Sequence, residues 1–234
     1  MIPILQKTKL LPKNELGDAF AVLINKEEDW TSFDVVNKLR HFLKIKKVGH
    51  AGTLDPFATG LLIVGIGKGT KALQEFSGLS KCYEAVVLLG IETDTLDKTG
   101  NVVAKSPVEN IAIDSIENVV NQFCGEIEQL PPMYSAKKVD GKRLYKLARK
   151  NIVVERQPVK VNIYDAEILE WNKPELRMKL HVSKGTYIRS YADELGRKLG
   201  CGAHLKGLMR TAIGSYKVED SFAVSEFMKY WTER

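Results

Sequence analysis

The residue best placed to do chemistry in this chain is Asp55, in the stretch Lys46-Lys-Val-Gly-His-Ala-Gly-Thr-Leu-Asp-Pro-Phe-Ala-Thr-Gly60. Gly49 and Gly52 let the backbone take turns that other residues resist. Pro56 fixes the chain just past the acid and biases Asp55 toward an extended conformation. A carboxylate held in this way is presented on a loop rather than carried in a helix. Lys46, Lys47 and His50 lie just upstream, so an anionic partner can approach it. Taken alone, an Asp beside Gly and Pro also reads as a turn cap, and the loop by itself leaves both readings open.

The elements around the loop must hold it. Residues 21–25 form an apolar strand. Thr31-Ser32 offers a helix cap, and Val35, Val36, Leu39, Phe42 and Leu43 recur at helical spacing. After the loop, residues 61–66 are an apolar run bounded by glycines, which reads as a buried strand. A short helix is expected over 68–76, a strand over 82–90, a turn over 94–100 and a helix over 113–123. Gln129-Leu-Pro-Pro132 breaks regular structure. The basic segment 133–151 has helical character in its second half. Residues 161–171 and 176–183 alternate about Lys173-Pro174 and form a hairpin. A helix over 187–199 ends at Gly200. A strand over 203–213 and a short helix over 224–231 follow. Residues 1–20 read as a loosely held arm. Mixed strands and helices with an antiparallel hairpin place the chain in the α+β or mixed α/β class.

The chain has 234 residues, enough for one large domain or two small ones. It contains no apolar run of membrane-spanning length and no secretory signal pattern at its start. Cys82, Cys124 and Cys201 are odd in number and far apart, and read as reduced thiols of a cytoplasmic protein. The net charge is +6, which suits a polyanion because contacts to phosphates release counterions. Lys44, Lys46 and Lys47 form one basic cluster. Lys137, Lys138, Lys142, Arg143, Lys146, Arg149 and Lys150 form a second, with Tyr134 and Tyr145 among them. Basic side chains interleaved with aromatics fit a nucleic-acid surface. Gly65-Ile-Gly-Lys-Gly-Thr70 lacks the order of a phosphate-binding loop. Cys201-Gly-Ala-His204 has no second ligand pair nearby, so it reads as a turn rather than a zinc site.

Six blocks in order resemble the bacterial TruB family of tRNA pseudouridine synthases. They are Gly49-His-Ala-Gly-Thr-Leu-Asp-Pro-Phe-Ala-Thr-Gly60, Lys81-Cys-Tyr-Glu84, Gln129-Leu-Pro-Pro-Met-Tyr-Ser-Ala-Lys137, Gly141-Lys-Arg-Leu-Tyr145, Ser183-Lys-Gly-Thr-Tyr-Ile-Arg189 and Gly202-Ala-His-Leu-Lys-Gly-Leu-Met-Arg210. The resemblance implies a pseudouridine synthase fold: α+β, a mixed and largely antiparallel sheet flanked by helices and loops, with an active-site cleft across the sheet. It implies an N-terminal arm over 1–20 and a catalytic domain over 21–216 with an RNA-gripping insert at 130–151; the tail over 217–234 departs from the many members that append a C-terminal PUA domain, and is expected to hold none.

The activity implied is that of a tRNA pseudouridine(55) synthase. Such an enzyme breaks a uridine's N-glycosidic bond and rejoins the same base through carbon, usually at uridine 55 of the tRNA T-loop. On matching positions, Asp55 is the essential acid, Arg189 its ion-pair partner, and Tyr83 the ring that stacks on the target base and takes part in proton transfer. His50 enters the space the flipped base leaves, and Tyr187 and Leu208 help form the pocket. Lys26, Lys137, Lys138, Lys142, Arg143 and Lys146 join them as RNA-binding residues. No cofactor and no metal is implied. The partner is a tRNA T-arm stem-loop, with no membrane and no guide RNA, and the protein is expected as a cytoplasmic monomer. Two alternatives stand beside this reading: a tRNA-folding chaperone, and a guide-dependent subunit of the box H/ACA type. One block departs from the family. Its usual D-K-P-x-G-x-T-S reads Asn25-Lys-Glu-Glu-Asp-Trp-Thr-Ser32 here, with Glu27 and Asp29 at the proline and glycine positions. The residues that would set the family's turn are absent, which leaves its conformation open, while Lys26, Thr31 and Ser32 are kept.

Overall fold

The computed structural model describes residues 2–135, 138–139, 142–144, 152 and 154–233. In chain order its main elements are β1 (Ala19–Lys26), α1 (Ser32–Leu43), β2 (Val48–Ala51), β3 (Thr59–Gly67), α2 (Leu73–Gly78), β4 (Lys81–Leu89), α3 (Ile113–Gln122), β5 (Gly125–Gln129), β6 (Val159–Asn172), β7 (Glu175–Val182), α4 (Ile188–Lys198), β8 (Ala203–Ile213) and α5 (Val224–Thr232). The class is mixed α+β, with mostly antiparallel pairing. The chain forms two compact units, residues 1–83 with 208–234, and residues 84–207.

In the first unit β1 pairs antiparallel with β3 from Ala19↔Gly67 to Lys26↔Gly60. Phe20, Val22 and Ile24 point to one face, and Ala21 and Leu23 to the other, by the two-residue period of a strand. Both faces are covered, so the run is apolar throughout rather than alternating. Phe20, Val22 and Ile24 join Val35, Val36 and Leu39 of α1 and Phe227 of α5 in one cluster. Ala21 and Leu23 join Leu61, Ile63 and Phe76 in another. The first turn of α1 carries a capping box, in which Thr31 and Asp34 satisfy each other's backbone N–H.

The partners of β3 set up the Asp55 loop. Ile63–Ile66 pair with β2, whereas Thr59 and Gly60 pair in parallel with Met209 and Arg210 of β8. The chain leaves β2 at Ala51 and re-enters the sheet at Thr59, so residues 52–58 span the seam where one neighbour of β3 gives way to another. The glycines at 67 and 69 answer a packing demand. A Cβ at Gly67 would lie 2.1 Å from the Asp18 carbonyl oxygen, and one at Gly69 would lie 2.2 Å from that of Phe20.

The N-terminal stretch is not a loose arm. Ile4 and Leu5 pair in parallel with Ala21 and Val22, and Leu5 and Leu16 are buried in the first cluster. Their apolar side chains supply the docking energy, although they recur at no regular helix or strand period in the sequence. Residues 222–232 likewise pack: Phe222 and Ala223 pair with Ile24 and Asn25, and Phe227 is fully buried.

In the second unit the strand order is β4, β7, β6, β5. The hairpin of β6 and β7 turns at Lys173-Pro174, with Asn172 opposite Glu175. Leu176, Met178, Leu180 and Val182 are all buried on one face. β5, absent from the sequence reading, pairs antiparallel with β6 from Gly125↔Ile163 to Gln129↔Val159. Gly196 of α4 lies against β8, where a Cβ would meet the Ala203 nitrogen at 2.3 Å.

Candidate active site

Asp55 is half-buried between Leu54 and Phe57, both of which are buried. Those two side chains anchor the loop on either side of the carboxylate and keep it from collapsing inward. The backbone of the loop is held from three distant places. The Ser32 hydroxyl accepts from the Leu54 N–H at 2.9 Å and donates to the Leu54 carbonyl at 3.3 Å. The Lys26 ammonium donates to the Pro56 carbonyl at 3.1 Å. The Arg210 guanidinium donates to the carbonyls of Gly52 at 3.2 Å and Leu61 at 2.7 Å. Positions 52, 54, 56 and 61 are thus tied to side chains from β1, α1 and β8. Gly52 has φ 82°, a region that favours glycine. Gly60, at φ 101°, lies so close to β8 that a Cβ would sit 2.3 Å from the Arg210 carbonyl oxygen.

Lys26 and Arg210 are buried cations, 0% and 1% exposed. Lys26 also donates to Glu27 at 2.8 Å and Trp30 at 2.7 Å, so its three N–H groups all go to backbone carbonyls. Lys26, expected among the RNA-binding residues, is therefore enclosed by the protein and ties the 26–30 turn to the loop. Its pKa is lowered to about 8, chiefly by burial and in small part by the charge of Arg210, against the opposing charges of Asp55 and Asp29. Asp29 stands at the glycine position with φ 64°, a left-handed conformation that Asp tolerates better than most residues. Its N–H donates to the Pro56 carbonyl at 2.9 Å.

His50 sits on β2 opposite Val64. Burial is the main cause that holds its imidazole below the ordinary histidine range, with the Arg210 charge adding to it, so it is neutral at neutral pH. Tyr83 is buried on the same alternating face of β4 as Lys81 and Ala85. Leu208 is half-buried on β8, two residues before Arg210. Asp55, His50, Lys26, Tyr83 and Leu208 all belong to the first unit.

Tyr187 and Arg189 belong to the second unit, at the start of α4. Arg189 is no surface arginine: it is 4% exposed. Its guanidinium donates to the carbonyls of Thr95 at 3.2 Å and Tyr134 at 2.7 Å, and pairs with Asp97 at 3.4 Å. Asp97 in turn accepts from the Thr95 hydroxyl, the Thr99 N–H and the Thr99 hydroxyl at 2.8, 3.0 and 2.6 Å. Asp97 was not picked out in the sequence, where it reads as one more Asp in a turn. The side chains of Lys137, Lys138, Lys142, Arg143 and Lys146 lie outside the described residues. The backbone at 138–139 pairs antiparallel with that at 142–143.

The Cys201/His204 pair is engaged with backbone. The thiol of Cys201 lies 3.3 Å from the Gly202 carbonyl, and His204 Nδ1 lies 2.8 Å from that of Ile91. Among the described residues no group of three or more His, Cys, Asp or Glu could hold a metal ion. No described helix is long and apolar enough to cross a membrane.

A family model described as TruB family pseudouridylate synthase (N terminal domain) matches residues 40–188. The chain belongs to the TruB family of pseudouridylate synthases. A second model, tRNA pseudouridylate synthase B C-terminal domain, matches residues 189–234. The chain is 47% identical over 203 residues to a protein named tRNA pseudouridine synthase B from Dehalococcoides mccartyi, covering 87% of this chain and 68% of the relative. It is 49% identical over 200 residues to one of the same name from Protochlamydia amoebophila, covering 85% and 76%. Among solved structures it is similar to a chain of a Cbf5-Nop10-Gar1 complex, with a TM-score of 0.72 and 29% identity over 90% of this chain. It spans only 54% of that chain's length.

Proposed function

We propose that this protein converts a uridine of tRNA to pseudouridine, and that the target is uridine 55 of the T-loop. The observation that carries the reading is the grip of Ser32, Lys26 and Arg210 on the loop backbone, which leaves the Asp55 carboxylate presented between two buried anchors. A loop held at three points loses little further freedom on meeting its target, which is what a preorganised catalytic group requires.

The target base must first leave its stack, at a cost of a few kcal/mol. His50, neutral and half-buried, fills the space it leaves. The ring of Tyr83 stacks on the uracil and offsets more of that cost. Ionised Asp55 then attacks the sugar or base carbon, or removes a proton, with Arg189 favouring the ionised form. The N-glycosidic bond breaks, the same uracil rejoins the ribose through carbon, and the proton displaced from that carbon is replaced by one on the freed nitrogen. Nothing is gained or lost overall, so the reaction needs no oxidant or co-reactant. Leu208 and the apolar run of β3 keep water away, which would otherwise capture the detached base. The basic residues of 137–146 hold the RNA arm.

The relatives at 47% and 49% identity are named for tRNA, which favours the stand-alone reading over the guide-dependent one suggested by the Cbf5 likeness. The purified protein, incubated with an unmodified T-arm stem-loop and no guide RNA, should yield pseudouridine at the T-loop position. Asp55→Asn should abolish it while RNA affinity stays within a few-fold. Turnover only with added guide RNA, or ordinary turnover in the variant, would overturn the reading.

A further inference from the structure

We propose that Gln129 is a positioning residue for the Tyr187–Arg189 segment, and this rests on the pseudouridine synthase reading given above. Gln129 is the last residue of β5 and is fully buried. Its carboxamide closes a ring of two hydrogen bonds on one residue. The Tyr187 N–H donates to Oε1 at 2.7 Å, and Nε2 donates to the Tyr187 carbonyl at 3.0 Å. Only this orientation of the amide satisfies both bonds, so the assignment of its oxygen and nitrogen follows from the partners.

Tyr187 is the N-cap of α4, and its own side chain makes no capping bond. The first N–H groups of a helix have no partner within it, and a buried orphan costs about 1–3 kcal/mol. Gln129 supplies the acceptor for Tyr187 from a strand far away in sequence. The next contacts follow along the same segment. Ser190 Oγ donates to the Leu130 carbonyl at 2.8 Å, and Arg189 donates to that of Tyr134. The segment 129–134 therefore meets residues 187, 189 and 190. Gln129 fixes the peptide between the Tyr187 ring and the Arg189 guanidinium, the two groups assigned to the pocket and to Asp55.

Two full-length variants test this. Gln129→Met keeps the volume and loses both bonds. Gln129→Glu keeps the acceptor for the Tyr187 N–H and loses the donor to its carbonyl, and a carboxylate near a helix N-terminus is compatible with folding. Single-turnover rates and RNA dissociation constants are measured on a T-arm stem-loop, with backbone amide exchange at residues 187–190. The Met variant should lose roughly tenfold or more in rate, about 1.4 kcal/mol, with the Glu variant between it and wild type. RNA affinity should be unchanged, and the Tyr187 amide should exchange faster in the Met variant. A wild-type rate in the Met variant, or a loss confined to RNA affinity, would overturn the proposal. If wild type makes no pseudouridine, the functional reading fails on its own. Exchange then decides the positioning claim: unchanged protection at Tyr187 in both variants refutes it. If the Met variant does not fold, the Glu variant carries the same comparison.

Discussion

Replacing Lys26 with Met should change how folding stability depends on pH. The folded pKa is lowered from 10.5 to about 8, chiefly by burial. Between those two values the unfolded chain keeps a proton that the folded chain releases, so stability rises as pH climbs through the window. From pH 7 to pH 9.5 this one residue contributes about 2 kcal/mol of that rise. Lys26→Met removes the contribution. At pH 7 two effects oppose each other in the variant. Removing a desolvated charge relieves about 3 kcal/mol. The carbonyls of Glu27, Trp30 and Pro56 lose their donor, at about 1–3 kcal/mol each. Lost bonds win, and the variant should be less stable by about 3 kcal/mol at pH 7. Urea unfolding of both proteins, followed by circular dichroism from pH 7 to 9.5, gives the difference directly and cancels the other groups that titrate there. The gap should widen with pH. A gap that stays constant would show that the three carbonyls fully offset the burial of the charge, and that the argument from desolvation is wrong.

Asp97→Asn removes the Asp97 counter-charge from buried Arg189, which keeps its carbonyl acceptors. Breaking such a pair costs about 3–5 kcal/mol, with the lower end expected because Asn still accepts from Thr99; an unchanged thermal midpoint would refute it. Asp29→Gly relieves a left-handed backbone and should add up to about 1 kcal/mol, trimmed by loss of a charge that supports Lys26; a lowered urea midpoint would show that the turn needs the Asp side chain. Neutralising Lys138, Lys142, Arg143 and Lys146 together should weaken RNA binding and flatten its salt dependence, by about one unit of slope per lost phosphate contact; an unchanged slope would remove these residues from the interface.

What the sequence disclosed and what it hid divide along a physical line. Features that act through the local backbone were legible. The glycines and proline around position 55, the alternation of Leu176, Met178, Leu180 and Val182, and the cap at Thr31 each impose geometry within a few residues, and each element lies where it was expected. Features that act by closing a long loop were not. Leu5 and Leu16 follow no helix or strand period and look unremarkable until β1 offers them a surface. Arg210 stands in a strand between half-buried neighbours, and nothing near it in sequence tells that its guanidinium reaches back to Gly52 and Leu61. Asp97 is similarly mute, since a turn Asp is common, and Gln129 heads a family block without any sign that its carboxamide reaches Tyr187. The loop was therefore readable as a shape, but not the side chains that hold the shape. Those side chains are polar and buried, and a buried polar group must find its partner wherever the fold puts one. Lys26 illustrates the consequence. As a lysine kept in a family block it suggested RNA, yet the enclosure that lowers its pKa also gives all three of its N–H groups to the backbone. Charge type in a sequence names the chemistry a residue can do; burial decides whether that chemistry faces the substrate or the protein.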